Sequence, residues 1–386
     1  MTNNVEFNGE RLKIARLYRG KTIKELADET EISKQAISQF ENGKSSPGFE
    51  TLLKIINSLG FPRDYFYQKD EYEITTNTFF RSMASTSKKE QLCQIYKTKT
   101  LACLYSFLEQ YIDFPNVNID YNNIVDDESF AEKEAIKLRE YWGLGNKPVN
   151  NIINLMEKNG IVVSSFNMND NKIDAFTQVH EINGTQRPFV VLGDDKESAV
   201  RRQFSAAHEL AHIVLHNNIC DISELTRDEY KNMEDQANDF AAAFLLPRDG
   251  FLEDVSQYPN KLEFYVELKK KWRVSISAMI IRAFRLSVIS HNQYQYMMKQ
   301  LSRKNWRSKE PLDDLIQIPK PTLLKKAIEV LVANDVLDES SIIESLNEYG
   351  LAIEAEEIEI LLALDKGRLK KKKSNNNVII NLKNFE

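Results

Sequence analysis

Apolar residues recur at helical spacing from Asn8 to about Phe66 and predict a run of short amphipathic helices. Ile14, Leu17 and Tyr18 mark a first apolar face, and Leu26 and Ala27 a second. Thr22 is placed to cap the second helix, with Glu25 three residues on to complete a capping box. After a break at Thr30-Glu31-Ile32-Ser33, Ser33 stands as N-cap of a third helix, Lys34 to Asn42. Its Ile37 and Phe40 face inward, while Lys34, Gln35, Ser38 and Gln39 face out. Gly43 ends this helix. Ser45-Ser46-Pro47 restarts the chain into another that carries Leu52, Leu53, Ile55, Ile56 and Leu59 and closes at Gly60.

Two short helices joined by a tight turn, the second with a polar outer face, make the unit that enters a DNA major groove. Leu26-Ala27, Ile32-Ser33, Ile37-Ser38, Glu41-Asn42-Gly43, Pro47 and Thr51-Leu52-Leu53-Lys54-Ile55 resemble the phage-repressor (Cro/cI-type, or XRE) helix-turn-helix family. The resemblance implies that Lys34, Gln35, Ser38 and Gln39 meet base edges and that Thr22, Asn42 and Lys44 hold phosphates. Two positions depart from the family pattern. Ile23 stands where Gln is usual, which removes one polar contact. Glu31 stands where Gly is usual in the turn, so a residue with a Cβ has to accept a positive φ at a cost of about 1 kcal/mol.

From 70 to 128 the chain reads as a polar connector with a helical centre, Lys89 to Tyr111. Its Leu92, Ile95, Tyr96, Leu101, Leu104, Tyr105 and Leu108 point to packing rather than a free linker. Phe114-Pro115 stops it. Acidic sequence at Asp126-Asp127-Glu128 precedes a helix from Phe130 to Tyr141, and Pro148 to Asn159 makes another. Ile161-Val162-Val163 and Phe189-Val190-Val191-Leu192, bounded by Gly160 and by Gly193-Asp194-Asp195, predict strands.

The second strand shortly precedes a helical pattern, Phe204 to Leu215, that contains His208-Glu209-Leu210-Ala211-His212. The two histidines lie one turn apart, so both imidazoles leave the same face and can grip one ion. Glu209 neighbours them at an angle suited to a metal-bound water rather than to the metal. Hydrolysis needs that division of labour: the ion acidifies water and polarises a carbonyl, and the carboxylate takes the proton. A catalytic zinc usually has a third protein ligand. Glu234, which opens a helix whose apolar side is Ala237, Phe240, Ala241, Phe244 and Leu245, is the first candidate, with Glu224, Asp228, Glu229 and Asp235 as rivals. His216 follows by a further turn. A continuous helix cannot bend three successive turns onto one small ion, so His216 reads as a residue behind the ligands or a purely structural one. His180 and His291 have no partner at useful spacing.

Arg202 through His216, followed by Glu234, Ala237-Asn238, Phe240-Ala241-Ala242 and Leu245-Leu246-Pro247, resembles the ImmA/IrrE metallopeptidase family. The resemblance implies that Glu234 completes a Zn2+ site with His208 and His212 and that Glu209 is catalytic. Ala211 stands where Gly is common, a small change. Lys261 to Ile289 resembles the C-terminal helices of the same family. Its Trp272-Arg273-Val274-Ser275 could pass for a second DNA-reading unit, but the broad apolar face points to packing against the peptidase. A last helical module runs from Leu323 to Leu364, and Val378-Ile379-Ile380 could add a terminal strand.

With 386 residues, the chain exceeds what one core usually supports. The expected fold is mainly α with a small β-sheet (α+β). A Cro/cI-type helix-turn-helix domain at 8–66 is followed by a helical connector at 67–128, a zincin-like metallopeptidase domain at 129–290 and a C-terminal helical module with a basic tail at 291–386. Apolar residues at 42% and charged residues at 28% suit a soluble globular protein. Met1-Thr2-Asn3-Asn4 leads into polar sequence without a signal core, and no stretch approaches the ~20 apolar residues of a membrane helix, so the expected location is the cytoplasm, away from membranes. Cys93, Cys103 and Cys220 fit neither a disulfide framework nor a CxxC site and read as free thiols. A net charge of -6 excludes a protein that coats nucleic acid by bulk electrostatics, so contact with double-stranded DNA has to be local. The basic cluster of Arg368 and Lys370 to Lys373 reads as a solvated tail.

These features imply a regulatory zinc endopeptidase, addressed by its DNA-binding domain, that cuts a protein substrate. By the family resemblance that substrate is a repressor of mobile-element or stress-response genes. The alternative is an XRE-type regulator or antitoxin-like repressor whose peptidase fold only senses metal or ligand. Repressor-like domains often pair as homodimers on half-sites ~34 Å apart, but no dimer surface is legible.

Overall fold

The computed structural model describes residues 6–68, 75–77, 87–120, 130–168, 174–194, 198–216, 225–339 and 341–369. Asp126-Asp127-Glu128, Asp195, Cys220, Glu224, the Lys370 to Lys373 run and the Val378-Ile379-Ile380 strand lie outside the described residues. The order of elements is mainly helical with one small sheet, as expected.

The N-terminal helices are α1 (Gly9–Tyr18), α2 (Ile23–Thr30), α3 (Lys34–Glu41) and α4 (Phe49–Leu59), followed by a 3-10 turn at Arg63–Tyr67. The boundaries follow the caps. Thr22 and Glu25 close a reciprocal capping box, with the Glu25 N–H on Thr22 Oγ1 at 3.1 Å and the Thr22 N–H on Glu25 Oε2 at 2.7 Å. Ser33 Oγ accepts the Ala36 N–H at 3.1 Å. Glu31 does adopt the left-handed region, at φ 57°, and its carboxylate reaches Lys54 Nζ at 3.0 Å. Gly43 and Gly60 also take positive φ at helix ends. One expectation is corrected: the buried side of α1 is Leu12, Ala15 and Tyr18, while Ile14 and Leu17 are only half-buried. Arg16 joins α1 to α3 through a buried double contact with the Glu41 carboxylate at 2.5 and 2.9 Å.

Helix α5 (Lys88–Leu108) occupies the expected connector, but it serves as an internal element. Leu101, Leu104, Tyr105 and Leu108 are buried, and α5 packs along α1 and against the sheet. After α6 (Phe130–Tyr141) and α7 (Ile152–Lys158) the sheet is built from β1 (Thr75–Asn77), β2 (Val162–Phe166), β3 (Ala175–Ile182) and β4 (Thr185–Gly193) in the order β1-β3-β4-β2. Strand β2 runs parallel to β4, with Val162 opposite Phe189, and β3 runs antiparallel to it. Asn183 and Gly184, at φ 50° and 75°, close the β3–β4 hairpin in the left-handed pair that a tight two-residue loop demands.

Successive strand residues point to opposite faces, and here they enter two different cores. Val162, Phe166, Phe176, Phe189 and Val191 join the helix-turn-helix residues, α5 and the C-terminal helices α14 (Leu323–Ala333), α15 (Ile342–Glu348) and α16 (Ala355–Leu361). Val163, Ala175, Val190 and Leu192 join α6, α7 and the helices α8 (Ala199–Leu215), α9 (Arg227–Leu245), α10 (Arg248–Val255), α11 (Leu262–Trp272), α12 (Ile276–Arg285) and α13 (His291–Arg303). No described helix is long and apolar enough to cross a membrane.

The α11–α12 turn repeats the geometry of α2–α3: Arg273 sits at φ 56° and Ser275 caps the next helix. Its second helix is nevertheless committed to packing. Ile276, Met279 and Ile280 are buried, Arg282 pairs with Glu132, and the Glu310 carboxylate accepts the N–H groups of Ile276 and Ser277 at 2.9 and 3.2 Å.

Candidate metal centre

Helix α8 follows β4 after a short link and is anchored at its start. Arg202 Nη2 donates to Gly193 O at the end of β4 and to Ser165 Oγ on β2, at 2.5 and 3.0 Å. Helix α9 packs on α8, and both feed one core: Ala207, Leu210 and Ala211 from α8 and Ala237, Phe240, Ala241 and Phe244 from α9 are all fully buried. That close approach brings α9 side chains to the histidine face of α8.

His208 and His212 stand one turn apart with their Nε2 atoms 3.1 Å from each other. Glu234 reaches the same point from α9, Oε2 lying 3.3 Å from His208 Nε2 and Oε1 3.5 Å from His212 Nε2. Of the rivals, Asp228, Glu229 and Asp235 are exposed, and Glu229 is engaged in capping α9 with Thr226. Glu234 does not open its helix as expected. It lies well inside α9, because Thr226 starts that helix earlier than the apolar pattern shows. Among the described residues, His208, His212 and Glu234 are the one group of this kind whose donor atoms all fall within 4.8 Å of one another.

The residues around them hold the donors in place. His208 Nδ1 meets Asn238 Oδ1 at 3.1 Å, His212 Nδ1 meets His216 Nδ1 at 3.2 Å, and His216 Nε2 meets Gln236 Oε1 at 3.0 Å. Glu209, 3% exposed, accepts the Thr177 hydroxyl at 2.7 Å. Burial opposes ionisation of Glu234, but the facing imidazoles of His208 and His212 outweigh it and hold the carboxyl well below the usual range. Burial likewise opposes a charge on His208, and the contact with Glu234 overcomes it and raises that imidazole's pKa. Such a site favours a positive charge between the three groups. Glu234 Oε1 is buried without a hydrogen-bond partner, and two imidazole nitrogens face it, so the residues fit a divalent ion with two nitrogen ligands and one oxygen ligand.

Thr177, Gln236 and Asn238 did not emerge from the sequence as site residues. Gln236 and Asn238 carry no signal of their own, because each reaches its histidine only through the packing of α9 on α8. Thr177 lies on β3, a strand that the apolar pattern does not reveal.

The predicted DNA residues form a separate group, on the helices that share the other core. Lys34, Gln35 and Gln39 on α3 are exposed and Ser38 is half-buried, while Thr22, Asn42 and Lys44 are exposed around them. The Asn42 amide donates back to Ser38 O at 2.6 Å.

Residues 12–66 match the helix-turn-helix family model, and residues 156–284 match that of peptidase family M78, the IrrE N-terminal-like domain. Among curated proteins, the HTH-type transcriptional regulator ImmR of Bacillus subtilis (strain 168) is 40% identical over 63 residues, 16% of this chain and 50% of ImmR. The SPbeta prophage-derived uncharacterized HTH-type transcriptional regulator YonR of the same organism is 39% identical over 57 residues, 15% of this chain and 53% of YonR. The chain spans about half the length of the curated relatives it matches.

Proposed function

We propose that this chain, which joins a helix-turn-helix DNA-binding domain to an ImmA/IrrE-type peptidase domain, is a zinc endopeptidase that cuts a partner protein, most simply a transcriptional repressor, and so controls mobile-element or stress-response genes. The observation that carries the reading is the convergence of His208, His212 and Glu234 on one point beside the buried carboxylate of Glu209. In this reading residues 129–290 hydrolyse, residues 8–66 address the enzyme to double-stranded DNA, and the protein works in the cytoplasm.

His208, His212 and Glu234 would hold the zinc. When bound, zinc supplies a water acidified toward ~pKa 7 and a polarised scissile carbonyl. Glu209 is the general base and takes the proton, then returns it to the leaving amine. Thr177 fixes the Glu209 carboxylate by its hydrogen bond, and Asn238 fixes the ring of His208. At the other end, Lys34, Gln35, Ser38 and Gln39 read base edges while Thr22, Asn42 and Lys44 bind phosphates. The purified chain mixed with candidate repressors is expected to cleave one of them, with activity lost in Glu209→Gln and on chelation. Equal cleavage by Glu209→Gln would refute the mechanism.

A second reading draws on the names of the two relatives, both transcriptional regulators. Here the peptidase domain is a metal or ligand sensor. Glu209→Gln would then leave regulation intact, and Lys34→Ala combined with Gln35→Ala would abolish it.

A further inference from the structure

His216 ends α8 on the side of His212 away from Glu234, and its two ring nitrogens connect α8 to α9. Nδ1 meets His212 Nδ1 at 3.2 Å, and Nε2 meets Gln236 Oε1 at 3.0 Å. A neutral imidazole offers one N–H and one lone pair, and an amide oxygen can only accept. Gln236 Oε1 therefore requires the His216 proton on Nε2, which leaves a lone pair on His216 Nδ1. His212 must then donate from its own Nδ1, and its lone pair sits on Nε2, the atom that faces Glu234. Asn238 Oδ1 imposes the same tautomer on His208 through a single bond. One short stretch of α9 thus carries Glu234 and, through Gln236 and Asn238, the two groups that turn both histidines toward it.

We infer that Gln236 and His216 act as a positioning pair that sets the tautomer of His212 from α9 and keeps its Nε2 available to a metal ion. The inference rests on the metal reading of His208, His212 and Glu234. Its chemical content is that the acceptor behind His216 is an amide and not a carboxylate. Partners behind metal histidines orient the ring and raise its basicity, and a carboxylate does so more strongly than an amide. An amide at 236 orients His212 without placing a charge behind it.

The test uses the full chain with zinc alone as the probe, comparing wild type, Gln236→Leu and Gln236→Glu. Gln236→Leu removes the acceptor and is expected to weaken zinc binding about 10- to 100-fold in a chelator competition. Gln236→Glu keeps an acceptor and adds charge, and is expected to tighten zinc binding severalfold. Nitrogen NMR of the histidines in the zinc-loaded wild type should find the proton on His212 Nδ1 and on His216 Nε2, with the His216 assignment lost in Gln236→Leu. Gln236 is half-buried, and the metal-free variants are expected to melt with the wild type, so that a weakened site is separable from a damaged fold. Wild-type zinc affinity in Gln236→Leu, or equal weakening in both variants, would overturn the relay while leaving the metal site standing. A wild-type chain that takes up no zinc, or takes it up equally well as Glu234→Ala, would remove the metal reading and the relay with it.

Discussion

Thr177, on β3, donates its hydroxyl to Glu209 Oε2 at 2.7 Å, and both side chains are almost completely buried. The bond crosses from the sheet to α8 and selects one orientation of the carboxylate proposed as general base. Thr177→Val keeps the shape and removes the donor, so the expected loss falls on turnover: kcat down about 10-fold, or about 1.4 kcal/mol, with KM little changed. Thr177→Ser should restore most of it. Steady-state cleavage of the partner protein decides the matter, and a Val variant with wild-type kcat would mean that Glu209 is held by other groups.

Gly9 begins α1 directly against the end of α3. A Cβ there would lie 2.1 Å from the Phe40 carbonyl oxygen and 2.9 Å from that of Glu41, contacts that backbone cannot relieve without moving one helix off the other. Gly9→Ala is expected to cost about 1–3 kcal/mol through overpacking and to weaken DNA binding by displacing the helix that carries Lys34 and Gln35. Urea unfolding and a DNA-binding titration test this together. Zinc uptake, which belongs to the other core, should be unchanged.

The features legible in the sequence are those written in neighbouring residues. Thr22 with Glu25, Ser33, and the glycines at 43 and 60 placed the ends of the N-terminal helices, and the pairing of His208 with His212 follows from the helical repeat alone. The turn requires a positive φ at Glu31, and the residue adopts it at 57°. Strand β3 escaped because Thr177, Gln178, His180 and Glu181 interrupt its apolar pattern, although Asn183-Gly184 is a strong hairpin signal. The role of α5 escaped for another reason: a helix pattern shows which face is apolar but not that α1 and β3 cover it. The partners of His212 and His208 were hidden in the same way, since Gln236 and Asn238 reach them only through the packing of α9 on α8.

Lys269 is fully buried and paired with Glu310 and Asp313 at 2.8 and 2.7 Å, and Glu310 also caps α12 through two N–H groups. Glu310→Ala removes half of the charge compensation for Lys269 and the cap at once. Breaking a buried pair from one side typically costs about 3–5 kcal/mol, so a large loss is expected in urea unfolding. Because Glu310 occupies the N-terminus of α12, where a DNA-reading helix would present itself, Arg273→Ala is expected to leave DNA binding unchanged. A loss of DNA affinity in Arg273→Ala would reopen α11–α12 as a second reading unit.

His180 lies fully buried on β3, edge-on to Phe189 at 5.0 Å, and burial, aided by the charge of Lys99, pushes its pKa down to about 3. The unfolded chain carries an ordinary histidine near pKa ~6.5, so the folded state binds fewer protons through this group between those two values. Its contribution to stability is therefore complete above pH ~6.5 and is lost progressively as the pH falls toward 3, at about 1.4 kcal/mol per pH unit, or about 2 kcal/mol by pH 5. His180→Gln removes the titration while keeping a polar side chain of similar reach. Urea unfolding at pH 7.5 and at pH 5 should show the wild type losing about 2 kcal/mol more between the two conditions than the variant. Every other titrating group is common to both proteins and cancels in that difference. Equal losses in the two proteins would mean that His180 takes up a proton in the folded state, and the sheet would then have to open toward water at this strand as the pH falls.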